Sequence, residues 1–286
     1  MKTASPITAV VLALGLGSVA AYAGEIETEH LFAFLVGTDV GDLGDREIEG
    51  GTTARVGKPA GFYSALSQTL SLEYTPTQNL RLEATAAAAR HDIVGVPQLD
   101  DRRQTAFEGL SFEMRYRLLD RANAPFGLAI KAEPHWGRID ETSGEPADRY
   151  GVDLVLAADK EIVPNRVVAA FNLLYLPEIL RSGITGAWSR EATIGAATAL
   201  MAQVRSGIFV GAEARYLRSY EGLGLDRFEG HALFLGPTVH AKLSERSWMT
   251  LGWSFQVAGR SVEDTGSLDL TNFERHQAIL KFGVNF

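Results

Sequence analysis

Acidic and basic side chains recur in this 286-residue chain at a spacing of two: Arg81 and Glu83; Glu113, Arg115 and Arg117; Lys131, Glu133 and His135; Glu213 and Arg215; His240 and Lys242. That spacing puts the members of each set on one face of a β-strand. Asp153 and Lys281 join the same face when their own segments are read with the same parity. A charged row of this kind can pair with the row on the next strand, or, around a water-filled passage, select charged solutes. With Glu73 and Asp159 included, seven carboxylates face seven Lys and Arg residues. Balance favours cross-strand ion pairs, and Glu73 with Arg81 and Glu113 with Lys131 each flank one short turn.

Other constellations carry less chemistry. Asp39, Asp42, Asp45, Glu47 and Glu49 lie among glycines, but their spacing departs from the EF-hand ligand pattern, so they read as a solvated acidic loop. Gly222-Leu223-Gly224 neither follows a strand nor opens a helix as a phosphate loop must. Lipid hydrolysis would need a nucleophile, a base and an orienting group together. Only His231 and His276 fall on the outward face near one rim, with no outward serine beside them, so no enzyme, metal or cofactor is expected. A formal charge of −8 leaves too few clustered cations for nucleic acid.

The elements that position these rows are strands. Period-2 patterning marks twelve segments, at 29–38, 62–75, 80–91, 106–118, 126–138, 150–160, 167–176, 191–203, 207–218, 230–243, 248–259 and 273–286. Each is close to the length a tilted strand needs to cross a bilayer. Five connections are short turns rich in Pro, Asn, Ser and Gly, while 39–61, 92–105, 139–149, 177–190, 219–229 and 260–272 read as long polar loops. The alternation of long and short connections is that of a closed antiparallel up-and-down transmembrane β-barrel, all-β, with long extracellular loops and short periplasmic turns. Outward aromatics then form two girdles, Tyr74, Tyr116, Phe126 and Phe286 at one rim and Phe62, Trp136, Tyr150, Tyr175 and Tyr216 at the other. Pro134 and Pro237 fall inside strands and should interrupt a ladder. The seventh and eighth strands turn small, uncharged side chains inward, among them Val168, Ala170, Asn172, Ala197, Ala199 and Met201, which leaves room for a modest solute.

Both chain ends agree with an exported barrel. Residues 1–23, with Lys2, an apolar Ile7–Val19 stretch and Ala21-Tyr22-Ala23, describe a secretory signal peptide, leaving 24–286 as the barrel domain. A cysteine count of 0 leaves backbone ladders and packing to hold it together. At the other end Ala278, Leu280, Phe282, Val284 and Phe286 share one face, and a strand ending this way resembles the terminal signature of Gram-negative outer-membrane β-barrel proteins. The resemblance implies insertion by the barrel assembly machinery, with Leu280, Phe282, Val284 and Phe286 as its recognition signature. It also implies an outer-membrane location among lipids and lipopolysaccharide. In size and layout the chain also looks like the outer-membrane channel proteins associated with aromatic-compound degradation, a likeness that transfers no functional residue.

The expectation is therefore a channel or transporter-like pore for small solutes, lined by Arg81, Glu83, Glu113, Arg115, Arg117, Lys131, Glu133, His135, Asp153, Glu213, Arg215, His240, Lys242 and Lys281. The alternatives are a non-conducting structural or surface-interaction barrel and, less favoured, a lipid-hydrolysing enzyme.

Overall fold

The computed structural model describes residues 26–286, so the signal-peptide segment 1–23 lies outside the described residues. Twelve strands follow one another: β1 (Arg46–Val56), β2 (Phe62–Thr77), β3 (Leu80–Val94), β4 (Arg102–Leu119), β5 (Gly127–Ile139), β6 (Pro146–Val163), β7 (Val167–Ser182), β8 (Trp188–Arg205), β9 (Ile208–Glu221), β10 (Arg227–Lys242), β11 (Ser247–Ser261) and β12 (His276–Asn285). Every strand pairs antiparallel with its sequence neighbours, and β1 closes on β12 from Glu47 opposite Asn285 to Val56 opposite His276. Closure leaves no edge, the condition a sheet must meet in hydrocarbon. Outside, Leu70, Leu72, Phe112, Met114, Ile130, Leu154, Phe171, Leu200, Leu251 and Phe282 are exposed as an apolar belt. Inside, Glu47, Glu73, Arg81, Glu113, Arg115, Asp159 and Glu213 are buried. This is the alternation that lipid outside and a polar lumen inside require.

Eleven strands fall on the segments the patterning marks, and the first does not. Residues 29–38 form no strand; the first strand is β1, inside the stretch 39–61 read as a long outer loop. Between Ile48 and Val56 the outward face of β1 holds only Gly50, Thr52 and Ala54, too weakly apolar to signal a lipid-facing strand. The loops are also shorter than expected. Strands extend through much of 92–105, 139–149, 177–190 and 219–229, leaving turns at 140–145, 183–187 and 222–226; among the described residues only the β11–β12 connection, 262–275, stays long. We call the barrel end with Phe286 and the β2–β3 turn proximal, and the opposite end distal.

Pro134 and Pro237 keep the register and interrupt one ladder each. Pro237 pairs with Ala212 of β9, yet between Leu235–Phe255 and Thr238–Gly252 the pairing with β11 is skipped. Pro134 pairs with Val152 of β6, and the pairing with β4 is skipped between Ser111–His135 and Met114–Ala132. A missing N–H on one side of the strand accounts for both gaps.

The stretch ahead of β1 enters the barrel. Ile26, Leu31, Phe32 and Leu35 are buried against Val168, Ala170, Ala197, Ala199, Met201 and Phe209 of β7, β8 and β9. The smooth wall that left room for a solute is thus covered by the chain's own N-terminal segment. A barrel of about 8 strands fills its interior with side chains and one of 16 encloses a channel, and here residues 26–45 occupy the proximal half of a lumen of intermediate width.

Phe32 is 2% exposed, and truncating a buried Phe to Ala costs about 3–5 kcal/mol. Phe32→Ala should therefore free the N-terminal segment for proteolytic removal while the heat-induced unfolding of the barrel stays where it is in the parent protein. A barrel transition that falls in step with protease sensitivity would show the segment and barrel to be one cooperative unit.

Candidate functional site

The site has two storeys, a seat for the N-terminal segment and an acidic vestibule beyond it. A chain segment inside a barrel has no ladder partners, so its backbone N–H groups need side-chain acceptors. The strands supply them. Glu213 on β9 accepts from the N–H of Ala33 (2.7 Å) and Phe34 (2.8 Å). Asn172 on β7 accepts from Val36 N–H (2.7 Å) and donates to its carbonyl (2.9 Å). Asp159 on β6 accepts from Thr38 N–H and Oγ1 (both 2.8 Å) and from Thr28 Oγ1 (2.6 Å). Arg121, in the β4–β5 turn, spans Asp39 (2.5 Å) and Asp159 (3.1 Å) and donates to Thr28 Oγ1 (3.1 Å) and the Ile26 carbonyl, tying the two ends of the segment to each other and to the wall. Above Phe34 the Arg215 guanidinium lies 4.1 Å from the ring centre and donates to Gln277 Oε1 at 2.6 Å. At one side the His30 ring stacks on Trp248, 4.0 Å between centres.

These contacts relocate the acidic stretch. Asp39 is buried at the proximal end, where its Oδ2 accepts from Thr28 N–H at 2.7 Å, and Glu47 and Glu49 point into the lumen from β1. The stretch is not an outer loop, because β1 begins at Arg46 and its parity turns both glutamates inward; Asp42 is exposed and Asp45 half-buried, but at the proximal end.

The sequence-derived charged residues divide between the storeys. Proximally, Arg81 pairs with Glu73 (2.8 Å), Glu83 (2.6 Å) and Glu29 of the N-terminal segment (3.3 Å). Glu113 pairs with Arg115 (2.8 Å) and Lys131 (3.1 Å), and Arg115 also reaches the Asp39 carbonyl at 3.4 Å. Both pairs expected across short turns therefore form. Glu213 and Arg215 hold the segment as described, and His240 Nδ1 lies 2.8 Å from Thr250 Oγ1. Lys281 sits on the inward face of β12, its backbone opposite Gly51 and Thr250. Arg117 and Lys242 lie at the proximal rim, where Arg117 donates to the Gln78 carbonyl (2.7 Å) and Lys242 meets Glu245 (3.6 Å). At mid-height Lys131 and Ser111 hold Glu133 at 2.7 Å each, and His135 bridges Glu178 (3.1 Å) and Asp153 (3.8 Å).

Above this level lies a cavity of about 660 Å³ lined from all sides of the barrel and from the 140–145 and 262–275 connections. Nine carboxylates line it, Glu108, Glu133, Asp140, Glu141, Asp153, Glu178, Glu191, Glu229 and Glu274, against Arg55, Arg149 and His135. The seven-to-seven balance read from parity does not extend to the whole lumen: the cations concentrate at the seat, and the further carboxylates leave the vestibule acidic. Parity alone missed Glu108, whose inward position comes from a bulge in β4 opposite Ala87–Ala88. It also missed Glu178, Glu191 and Glu229, which lie in stretches read as loop or near strand ends.

Glu141 folds inward from the β5–β6 turn onto Arg55 and Arg149, 2.6 Å from each. Desolvation pushes its carboxyl up, but the two guanidiniums outweigh that and hold it well below the usual carboxylate range. The same turn is fastened by His91 Nε2 at 2.9 Å from the Glu141 carbonyl and by Tyr63, whose hydroxyl donates to the Thr142 carbonyl at 3.0 Å.

Comparison with known proteins follows this geometry. The sequence pattern described as "Family of unknown function (DUF6662)" matches residues 24–286. No curated protein sequence matches the chain. Among solved structures, the COG4313 outer membrane channel from Pseudomonas putida F1 superposes with a TM-score of 0.60 at 16% identity, over 87% of this chain and 98% of that one. The NanC porin gives a TM-score of 0.49 at 10% identity, over 84% of this chain and 100% of that one. The translocator domain of the autotransporter NalP from Neisseria meningitidis gives 0.47 at 14%, over 87% and 91%. At these identities the likeness to the Pseudomonas putida channel is one of fold.

Two outcomes test the site. Breaking a buried, hydrogen-bonded charge costs on the order of 3 kcal/mol, so Asp159→Ala should expose residues 26–40 to amide exchange while the strands stay protected. A depressed carboxyl pKa contributes stability that is present above the ordinary glutamate range and lost as pH falls through the folded value. The Glu141 turn should thus stay docked into strongly acidic solution, and Arg149→Met should move the Glu141 titration, followed by carboxyl NMR, upward while the remaining Arg55 still holds it below the ordinary glutamate value.

Proposed function

The chain belongs to the DUF6662 family, described only as one of unknown function, and from the barrel itself we propose an outer-membrane channel for small solutes that prefers cations and is closed by its own N-terminal segment. The observation that carries this reading is the vertical order of the lumen: an acidic vestibule of about 660 Å³ stacked on a non-strand segment that belongs to no ladder of the barrel. A cleft lined by one sign of charge between low-dielectric walls concentrates ions of the opposite sign. The distal end faces the cell exterior and the proximal end the periplasm, following the rule that both termini of bacterial barrels lie inside. The likeness in fold to the outer membrane channel from Pseudomonas putida F1 supports the same direction. Leu280, Phe282, Val284 and Phe286, all exposed on the outer face of the last strand, suit recognition by the assembly machinery and contact with lipid.

A second reading, a non-conducting structural barrel, is favoured by one observation, the number of side-chain contacts that seat the segment. Planar-bilayer recording separates the two. Gly252 on β11 faces the segment so closely that an added Cβ would lie 2.3 Å from Ala33 Cβ and 3.0 Å from the Phe34 ring. Gly252→Leu should therefore unseat residues 26–40 and raise the open probability at least tenfold over the parent protein. Its reversal potential in a salt gradient should show cation preference, and Glu191→Lys with Glu229→Lys should weaken or reverse that preference. A Gly252→Leu barrel with an exposed segment that stays silent at all voltages would establish the structural reading.

A further inference from the structure

Where the N-terminal segment meets the β1–β2 wall, His30, Glu47, Glu49 and Glu73 converge, each offering one ligand atom within 4.8 Å of all the others. They come from three elements, the segment, β1 and β2, so their meeting is a product of the fold. His30 Nε2 lies 3.5 Å from Glu47 Oε2, and Nδ1 lies 3.9 Å from Glu49 Oε2. These gaps are too long for hydrogen bonds. An imidazole binds one ion through one nitrogen, and the Nε2 to Glu47 Oε2 gap is close to the ~3.3 Å separation of ligand atoms around a tetrahedral ion with bonds of about 2.0–2.1 Å.

One carboxylate oxygen there lacks the partner that its burial demands, and a second carboxylate beside it makes no hydrogen bond among the described residues. Glu49 is 7% exposed and, among the described residues, accepts no hydrogen bond. Glu73 is also 7% exposed, and its Oε1 is buried with no hydrogen-bond partner, its Oε2 being taken by Arg81 at 2.8 Å. Arg81 is itself divided among Glu29, Glu73 and Glu83, so it does not neutralise the group alone. Buried polar atoms without partners are rare, and an ion is one of the few things that explains them.

The surroundings orient the donors. Trp248 Nε1 donates to both oxygens of Glu47 at 3.0 Å, and the same indole stacks on His30 with planes 13° apart. Groups around a metal site that fix ligand orientation in this way are typical of such sites. We propose that His30, Glu47, Glu49 and Glu73 form a site for a first-row divalent cation of the Zn²⁺ or Mn²⁺ class, which clips the N-terminal segment to the barrel wall. One imidazole with carboxylates favours these ions over Mg²⁺ and Ca²⁺, whose preferred ligands are all oxygen.

The test uses the mature protein folded in detergent, stripped with a chelator and titrated separately with Zn²⁺, Mn²⁺ and Mg²⁺. The site predicts one Zn²⁺ or Mn²⁺ retained per chain after gel filtration, at least tenfold weaker binding in Glu49→Gln, and slower proteolysis within residues 26–45 when the ion is added to the parent protein only. Glu49→Gln preserves shape, and an unchanged heat-unfolding transition confirms its fold; His30→Asn gives a second, independent removal of a ligand. No stoichiometric retention by the parent protein, equal binding by parent and Glu49→Gln, or Mg²⁺ binding as tight as Zn²⁺ and Mn²⁺ would each overturn the proposal. The outcome is independent of whether the barrel conducts.

Discussion

Everything in this structure follows from how a closed sheet divides its side chains. Lipid offers no hydrogen-bond partner, so the ladder must close and each strand must send its polar residues inward. Twelve strands enclose more volume than those residues fill, and β7 and β8, with Val168, Ala170, Ala197, Ala199 and Met201 turned inward, leave a hollow along one wall. Water in a hollow with apolar walls gains few partners, whereas an apolar chain segment buries its own surface there. Leu31, Phe32 and Leu35 take that place. The cost is a backbone without a ladder, and Glu213, Asn172 and Asp159 meet it by accepting N–H groups from Ala33, Phe34, Val36 and Thr38.

That solution also sorts the charges. Carboxylates that bind backbone N–H groups or face one another at the seat require cations nearby, and Arg81, Arg115, Arg121 and Lys131 are drawn there. The distal half receives few. Arg55 and Arg149 are committed to Glu141 and Glu178, which leaves Glu191 and Glu229, among the described residues, without a lysine or arginine at comparable range, Arg227 being 4.0 Å from Glu229 and itself closest to Glu221. The acidic vestibule is thus the complement of the seat: one end of the lumen is packed and holds most of the cations, and the other is wet and acidic.

The barrel was legible because its signal is repeated. Period-2 alternation over eleven strands and the outward aromatics came from the same rule of parity, and the Pro134 and Pro237 interruptions from the N–H that proline lacks. The first strand was not legible, for a physical reason visible in the residues. Leu31-Phe32-Ala33-Phe34-Leu35-Val36 is a continuous apolar run, which a strand between lipid and a polar lumen would not show; it marks a segment buried on every side. β1 has the reverse problem, since Gly50, Thr52 and Ala54 leave the middle of its outer face almost without hydropathy. The cross-turn pairs Glu73–Arg81 and Glu113–Lys131 could be read because register across a short turn is nearly fixed. The meeting of His30 with Glu47, Glu49 and Glu73 could not, because it depends on where a non-repeating segment lies inside the barrel.

The position of the tether bears on what the lumen becomes without the segment. Residues 40–45 are pinned to the proximal end of β2: Thr75 Oγ1 donates to the Val40 carbonyl at 2.7 Å, Gly44 N–H donates to the Thr75 carbonyl at 2.8 Å, and Thr75 N–H donates to the Asp45 carbonyl at 3.1 Å. Gly41 and Gly44, with φ of 76° and 90°, make the tight reversal that β-carbon-bearing residues resist. A segment fastened there can leave only by swinging out at the proximal end, and doing so strips Glu213 of its two backbone donors and Asp159 of the Thr28 and Thr38 groups. Their carboxylates would then face water along the path that continues the vestibule. Emptying the seat also uncovers Arg81, Arg115, Arg121 and Arg215, which the segment now contacts, so the path below the vestibule would be lined by both signs of charge and the single-sign field would stay confined to the distal half.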